Sequence, residues 1–299
     1  MIILLVGTSG QLPLLANNAI GGSTDTTNQW ISGHQLQEQK KFLLAILEYN
    51  RLLHQFPTYS SKNLVYLRIG QCYDSIGQPA QAQRYYEEAL HATPQADPLV
   101  QWLMLLNAKN RILQGKFAPA LTELYSLDTL NLGEEMVDLY HLLAAVALHH
   151  LGSSDQCKYH LSQLDVDQEH LNKYDRAISA SQRPNPNAAM IMSAILPGAG
   201  QLYAGSKQEA LNSFAINAFF LAVTLRTAQF VRVFDVVVAV LPWFQRYYVG
   251  GYNRASVLAF QKQMKKRDAS LNNVLKEIPK NRMPPDYFRA SKLNPNSMN

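Results

Sequence analysis

The chain has 299 residues, a net charge of +5 and 47% hydrophobic residues. That length exceeds one ordinary helical core and points to two units with tails. Two cysteines, Cys72 and Cys157, exclude a small disulfide-stapled scaffold; each falls inside a helical pattern and reads as a small buried apolar residue.

Residues 1–25 open on Met1-Ile-Ile-Leu-Leu-Val6 and continue through Leu12 to Ala16. This apolar core followed by small residues reads as a signal peptide, although a basic start is missing; the alternative is an apolar N-terminal segment. Residues 26–183 hold 13 Lys or Arg against 16 Asp or Glu, so the positive charge of the chain lies elsewhere.

Within 26–183 a period emerges. Residues 63–96 read NLVYLRIGQCYDSIGQPAQAQRYYEEALHATPQA. Small Gly70 and Ala82 let two helices of a hairpin approach, while large residues three and four positions away fill the gaps between hairpins. Gly77 suits a left-handed turn, and Pro94 ends the second helix for want of an amide hydrogen. Gly33, Ala45, Tyr49, Leu52 and Pro57 fit the same template over 26–59, Gly115, Phe117, Ala120 and Leu124 over 101–134, and Ala145, Leu148, Gly152 and Leu161 over 138–171. Tandem hairpins bury faces that none could bury alone.

With Tyr66, Ile69, Gly70, Tyr73, Gly77, Ala82, Tyr86, Ala89, Leu90 and Pro94 in place, residues 63–96 resemble the tetratricopeptide repeat (TPR). The stretches LLAILEYNRLLHQFP and AQAQRYYEEAL are also similar to envelope repeat proteins. The resemblance implies an all-α, TPR-like helical-hairpin solenoid whose first helices line a groove for a protein or peptide partner. Counting along the template assigns Gln71, Asp74, Trp102, Leu105, Lys109 and His149 to that groove.

Arg183-Pro-Asn-Pro-Asn187 reads as a linker, after which 184–262 turns apolar and reads as a membrane-associated helical domain. Ala188–Leu196 is too short to span a bilayer and stops at Pro197-Gly198. Ala210–Leu225 and Val233–Val249 reach roughly 25 Å each against a hydrocarbon core of about 30 Å, and are read as a tight transmembrane helical hairpin. Trp243, Tyr247, Tyr248 and Tyr252 cluster with Arg246 and Arg254 as interfacial aromatics and snorkelling cations do, and Asp235 sits three residues after Arg232, within pairing distance on a helix.

Pro197, Gly198, Gly200, Gln201, Tyr203 and Gly205 form Pro-Gly-x-Gly-Gln-x-Tyr-x-Gly, and Tyr248, Gly250 and Gly251 belong to Tyr247-Tyr-Val-Gly-Gly-Tyr-Asn-Arg-Ala255. Over 188–262 these motifs resemble a family of small bacterial two-span membrane domains of unknown function. That likeness implies a bacterial membrane, with the inner membrane favoured; two spans put the repeats and the tail on one side, which a signal peptide makes periplasmic, whereas the positive-inside rule pulls the basic tail toward the cytoplasm. Residues 263–299 read as a basic, partly disordered tail; from Lys262 onward nine Lys or Arg face three Asp or Glu. A lysine-rich tail after an apolar region suits anionic lipid better than nucleic acid, because no aromatics are interleaved for base stacking.

No nucleotide loop, GxSxG, HExxH or CxxC motif occurs in the sequence, and His149, His150 and His160 lack the companions of a familiar metal site. The expectation is a non-enzymatic, cofactor-free, membrane-anchored adaptor. The alternative is a component of a translocation, insertion or transport apparatus using Arg232, Asp235 and Arg246 as a polar path.

Overall fold

The computed structural model describes residues 24–129, 132–227, 233–279 and 282, with the side chains of 24, 135, 227 and 233–241 outside that description. The N-terminal segment read as a signal peptide and the tail beyond Arg282 lie outside the described residues. All described elements are α-helices, with no strand among the described residues. Packing divides the chain into two compact units, residues 1–171 together with 274–299, and residues 172–273.

The first unit contains four successive hairpins. These are α1 (Thr24–Glu38) with α2 (Phe42–Gln55), α3 (Lys62–Ser75) with α4 (Pro79–His91), α5 (Leu99–Leu113) with α6 (Phe117–Tyr125), and α7 (Glu134–Leu151) with α8 (Ser154–Ser162). The second helix of each of the first three hairpins also packs on the first helix of the next, α2 on α3, α4 on α5 and α6 on α7, which is helical repeat-like packing. Pro79 starts α4 at a position where its missing amide costs nothing. The turns use left-handed residues at matched places: Lys40, Gly77, Gly115 and Gly152, at φ 59°, 74°, 75° and 88°. Three are glycine, as only glycine takes that conformation without a Cβ penalty.

The same intervals of 37, 38 and 37 residues recur in the buried positions. Gly33, Gly70, Ala108 and Ala145 form one column, Ala45, Ala82, Ala120 and Cys157 a second, Tyr49, Tyr86, Leu124 and Leu161 a third, and all twelve are buried. The first and third columns compensate in volume. Where the first helix carries glycine the second carries tyrosine, and a Cβ at Gly33 or Gly70 would strike the ring of Tyr49 or Tyr86. Where the small residue is alanine the facing residue shrinks to leucine. Summed volume per hairpin is thus held near native packing density.

The second unit is built on α10 (Pro186–Ile195), α11 (Ala199–Tyr203), α12 (Lys207–Thr227) and most of α9 (Gln168–Ser181) and α13 (Val233–Leu275). Asn185 caps α10 by accepting the amides of Asn187 and Ala188, with Pro186 in the first turn. Residues 263–275, read from sequence as the start of a partly disordered tail, continue α13 without a break. Its core is small: Ala189, Ala204, Ala255 and Ala259, with Leu258 against them. Among the described residues no helix is long and apolar enough to cross a membrane.

Candidate functional site

Four of the six residues expected to line the groove of the repeat unit are buried instead: Asp74, Leu105, Lys109 and His149. The reason is visible at Lys109, only 1% exposed, whose Nζ lies 2.5 Å from Asp74 Oδ2 across the seam between the second and third hairpins. Asp74 also accepts the Tyr86 hydroxyl at 2.8 Å. These positions therefore face the neighbouring hairpin rather than solvent, and polarity in the sequence marked a buried network instead of a binding surface. Gln71 and Trp102 keep partial exposure. The first unit also leaves Leu43, Leu44 and Leu47 exposed on α2, an apolar stripe that the template count did not single out.

Cys72 and Cys157 are buried, and burial pushes the Cys72 thiol up to about 12, which leaves it an inert core residue. His141 and His160 face each other in the fourth hairpin with their Nδ1 atoms 2.9 Å apart. Burial, then the neighbouring His141, lowers His160 to about 4, and burial lowers His141 as well. The pair sits among Tyr140 and Tyr159, and among the described residues no group of three or more His, Cys, Asp or Glu is placed to hold a metal ion.

In the second unit the Pro-Gly-x-Gly-Gln-x-Tyr-x-Gly segment forms a corner. Gly198 adopts φ 95° and Gly205 φ 86°. Gly200 packs so tightly on the Ala189 carbonyl that a methyl group there would overlap it. Gln201, also buried, accepts the Ser193 hydroxyl at 2.7 Å and donates to the Gly251 carbonyl at 2.8 Å, joining α10, α11 and α13. Ser193 in turn accepts the Gly200 amide at 2.9 Å. The Tyr248 hydroxyl donates to the Ala194 carbonyl, the Tyr203 hydroxyl accepts the Asn185 amide at 3.1 Å, and Lys262 donates to the Ala204 carbonyl at 3.0 Å. The motif thus brings together Gly200, Gln201, Tyr203, Tyr248 and Gly251 as one hydrogen-bonded corner; Pro197, near Gly198, ends α10. Trp243 stands exposed on α13, and the side chain of Asp235 lies outside the described residues.

Beside this corner, α12 and α13 line a cavity of about 260 Å³ that opens to solvent. Ser213, Asn217, Arg246 and Gly250 line it, together with an ion pair in which Arg254 Nη2 lies 2.8 Å from Glu209 Oε1. Asn217 is buried, donates to the Ser213 carbonyl at 2.7 Å, and its carboxamide oxygen accepts no hydrogen bond among the described residues. Sequence reading had the two glycines and Arg246 but missed Ser193 and Ser213, small hydroxyl residues within apolar runs that carry no signal of their own. Comparison with protein-family models, with characterised proteins and with solved structures brings out no match, so the functional reading rests on this geometry.

Proposed function

We propose that the chain is a non-enzymatic adaptor of the bacterial envelope, in which TPR-like hairpins bind a protein or peptide and the C-terminal unit holds them to a lipid bilayer. The observation that carries this reading is an inversion of side-chain size in the second unit. In the first unit Tyr, Leu and Ile are inside, as water requires. In the second, Tyr174 and Leu271 are buried too, but the cluster around the corner is alanine, while Ile195, Leu211, Phe219 and Leu225 stand 80%, 67%, 64% and 62% exposed.

Burying small residues and exposing large apolar ones is unfavourable in water by about 25 cal/mol per Å² of apolar area left wet. In lipid that cost vanishes, and helices associate through small residues and interhelical hydrogen bonds instead. Ser193, Gln201 and Tyr248 make such bonds. At 21 residues α12 extends about 30 Å, but Lys207, Glu209 and Arg226 leave an apolar stretch shorter than a hydrocarbon core of about 30 Å, so the reading is of a helix lodged in the bilayer with its charged ends at the head groups. A helical hairpin of α12 and the first part of α13, lodged in the inner membrane with the repeats on the periplasmic side, is the arrangement proposed.

For the repeats, the exposed Leu43, Leu44 and Leu47 offer a partner helix an apolar stripe at helical spacing. The test is flotation of the full chain with phosphatidylcholine vesicles, followed by a carbonate wash. Retention with the vesicles supports the reading. A full-length chain that stays at the bottom of the gradient, or is extracted from cells without detergent, overturns it.

A further inference from the structure

The cavity between α12 and α13 has features that packing within the unit leaves unused. Gly250 and Gly251 stand in the middle of a long helix, where glycine weakens the helix relative to alanine. Gly251 has a reason in its neighbours, since a Cβ there would come within 3.1 Å of Ser213 Oγ. Gly250 has none: a Cβ there would meet nothing within 4 Å. The space it leaves is part of the cavity.

The polar groups around that space are unbalanced. Arg254 is paired with Glu209, whereas Arg246, on the same wall, has no ion-pair partner among the described residues. Among the described lining residues the charges are therefore Glu209 against Arg246 and Arg254, an excess of one positive charge, carried by an Arg246 that is exposed to solvent. Opposite stand the Ser213 hydroxyl and Asn217, which is only 6% exposed with its carboxamide oxygen unbonded. An occupant that satisfies all three is an anion that also brings a hydrogen-bond donor. At about 260 Å³ the space falls below the roughly 300–1,000 Å³ of pockets for drug-sized ligands, so it suits a head group rather than a whole lipid. Exposed Tyr247 and Ile216 at the rim give apolar chains somewhere to lie.

We propose that this cavity binds the phosphodiester head group of an anionic glycerophospholipid bearing a free hydroxyl, with Arg246 and Ser213 holding the phosphate and Asn217 accepting the hydroxyl. The inference rests on the membrane reading above and deepens it. A head group with its own ammonium would bring a positive charge toward Arg254 and Arg246, which disfavours zwitterionic lipids. Arg246 is the group that matters most, because a guanidinium meets phosphate with two parallel charge-assisted hydrogen bonds.

The test uses the full chain in a neutral maltoside detergent, with native mass spectrometry counting bound phosphatidylglycerol against phosphatidylcholine. The expected result is at least tenfold preference for phosphatidylglycerol, lost on Arg246→Gln and on Gly250→Leu, and kept in Arg226→Gln, which removes a cation outside the cavity. Gly250→Leu fills the space and raises helix propensity, so unchanged helical circular dichroism separates blocked binding from misfolding. Equal retention of both lipids, or no effect of either cavity variant, overturns the inference. Displacement of the lipid by millimolar inorganic phosphate or glycerol phosphate assigns the site to a free phosphate and overturns the lipid source. Flotation with phosphatidylcholine vesicles distinguishes the two levels: a chain that floats without lipid preference refutes the head-group site alone, and one that never floats refutes the membrane reading.

Discussion

The volume exchange between the glycine and tyrosine columns can be tested as a double-mutant cycle. Gly70→Ala places a methyl group against the ring of Tyr86, which is fully buried and tied by its hydroxyl to Asp74. Overpacking of this kind costs about 2 kcal/mol, because the ring can retreat only by breaking that hydrogen bond. Tyr86→Leu alone empties space above Gly70 and removes the hydroxyl from Asp74, for about 3 kcal/mol. The double variant installs the alanine and leucine already found at Ala108 with Leu124 and at Ala145 with Leu161. Its cost is expected near 3 kcal/mol rather than the additive value of about 5, a coupling of about 2 kcal/mol. Amide hydrogen exchange read by mass spectrometry on peptides of α3 and α4 reports the opening free energy of this hairpin in the full chain. Additivity within about 0.5 kcal/mol would show that the two columns do not share one volume and would refute the reasoning.

Lys109→Val leaves Asp74 buried without its cation and is expected to cost about 3–5 kcal/mol in exchange protection of α3 to α5, with Asp74→Asn in the same background restoring at least half, since a neutral amide still accepts the Tyr86 hydroxyl. The histidine pair predicts acid sensitivity of the fourth hairpin. His160 is lowered to about 4 in the folded chain against about 6.5 unfolded, so the stabilisation is full above pH 6.5 and lost as pH falls toward 4, by roughly 3 kcal/mol. His160→Gln should flatten that part of the pH profile of α7 and α8 exchange, and an unchanged slope would count against it. Gly200→Ala cannot be accommodated against the Ala189 carbonyl and should abolish protection of α10 and α11 while the α3 and α4 peptides exchange as before; equal loss in both units would refute a corner confined to the second.

How much was legible follows from how each position works. The hairpins and their turns were readable because Gly77, Gly115 and Gly152 announce left-handed backbone, and the alanine and aromatic columns repeat at nearly constant intervals. Lys40 was not, because a lysine in that conformation gives no signal of its own. The Pro-Gly-x-Gly-Gln-x-Tyr-x-Gly motif was readable as a segment, yet Ser193 and Gly251, the partners of its Gln201, lie eight and fifty residues away, a separation that no local pattern reveals. The groove assignment failed at Asp74, Leu105, Lys109 and His149 because a template gives helix and phase but not whether a phase faces solvent or the next hairpin.

That failure has a physical consequence for the repeat unit. Asp74 and Lys109 occupy columns whose counterparts are Gln37, Ile112 and His149 for the first, and His34, Gln71 and Val146 for the second. Each seam is therefore chemically different. At the first the two positions are the uncharged Gln37 and Gln71, with Gln37 held by the Tyr49 hydroxyl of its own hairpin at 3.1 Å; at the second, an ion pair is buried; at the third, both positions are aliphatic. Setting the third hairpin against the first would bury Lys109 opposite an uncharged Gln37, and setting the fourth against the second would bury Asp74 opposite Val146. Each swap strands a charge at a cost of several kcal/mol, far more than the aliphatic contacts could return. Four hairpins of similar shape can thus stack in one order, and the charged residues in the seam enforce that order at the expense of being available to a partner.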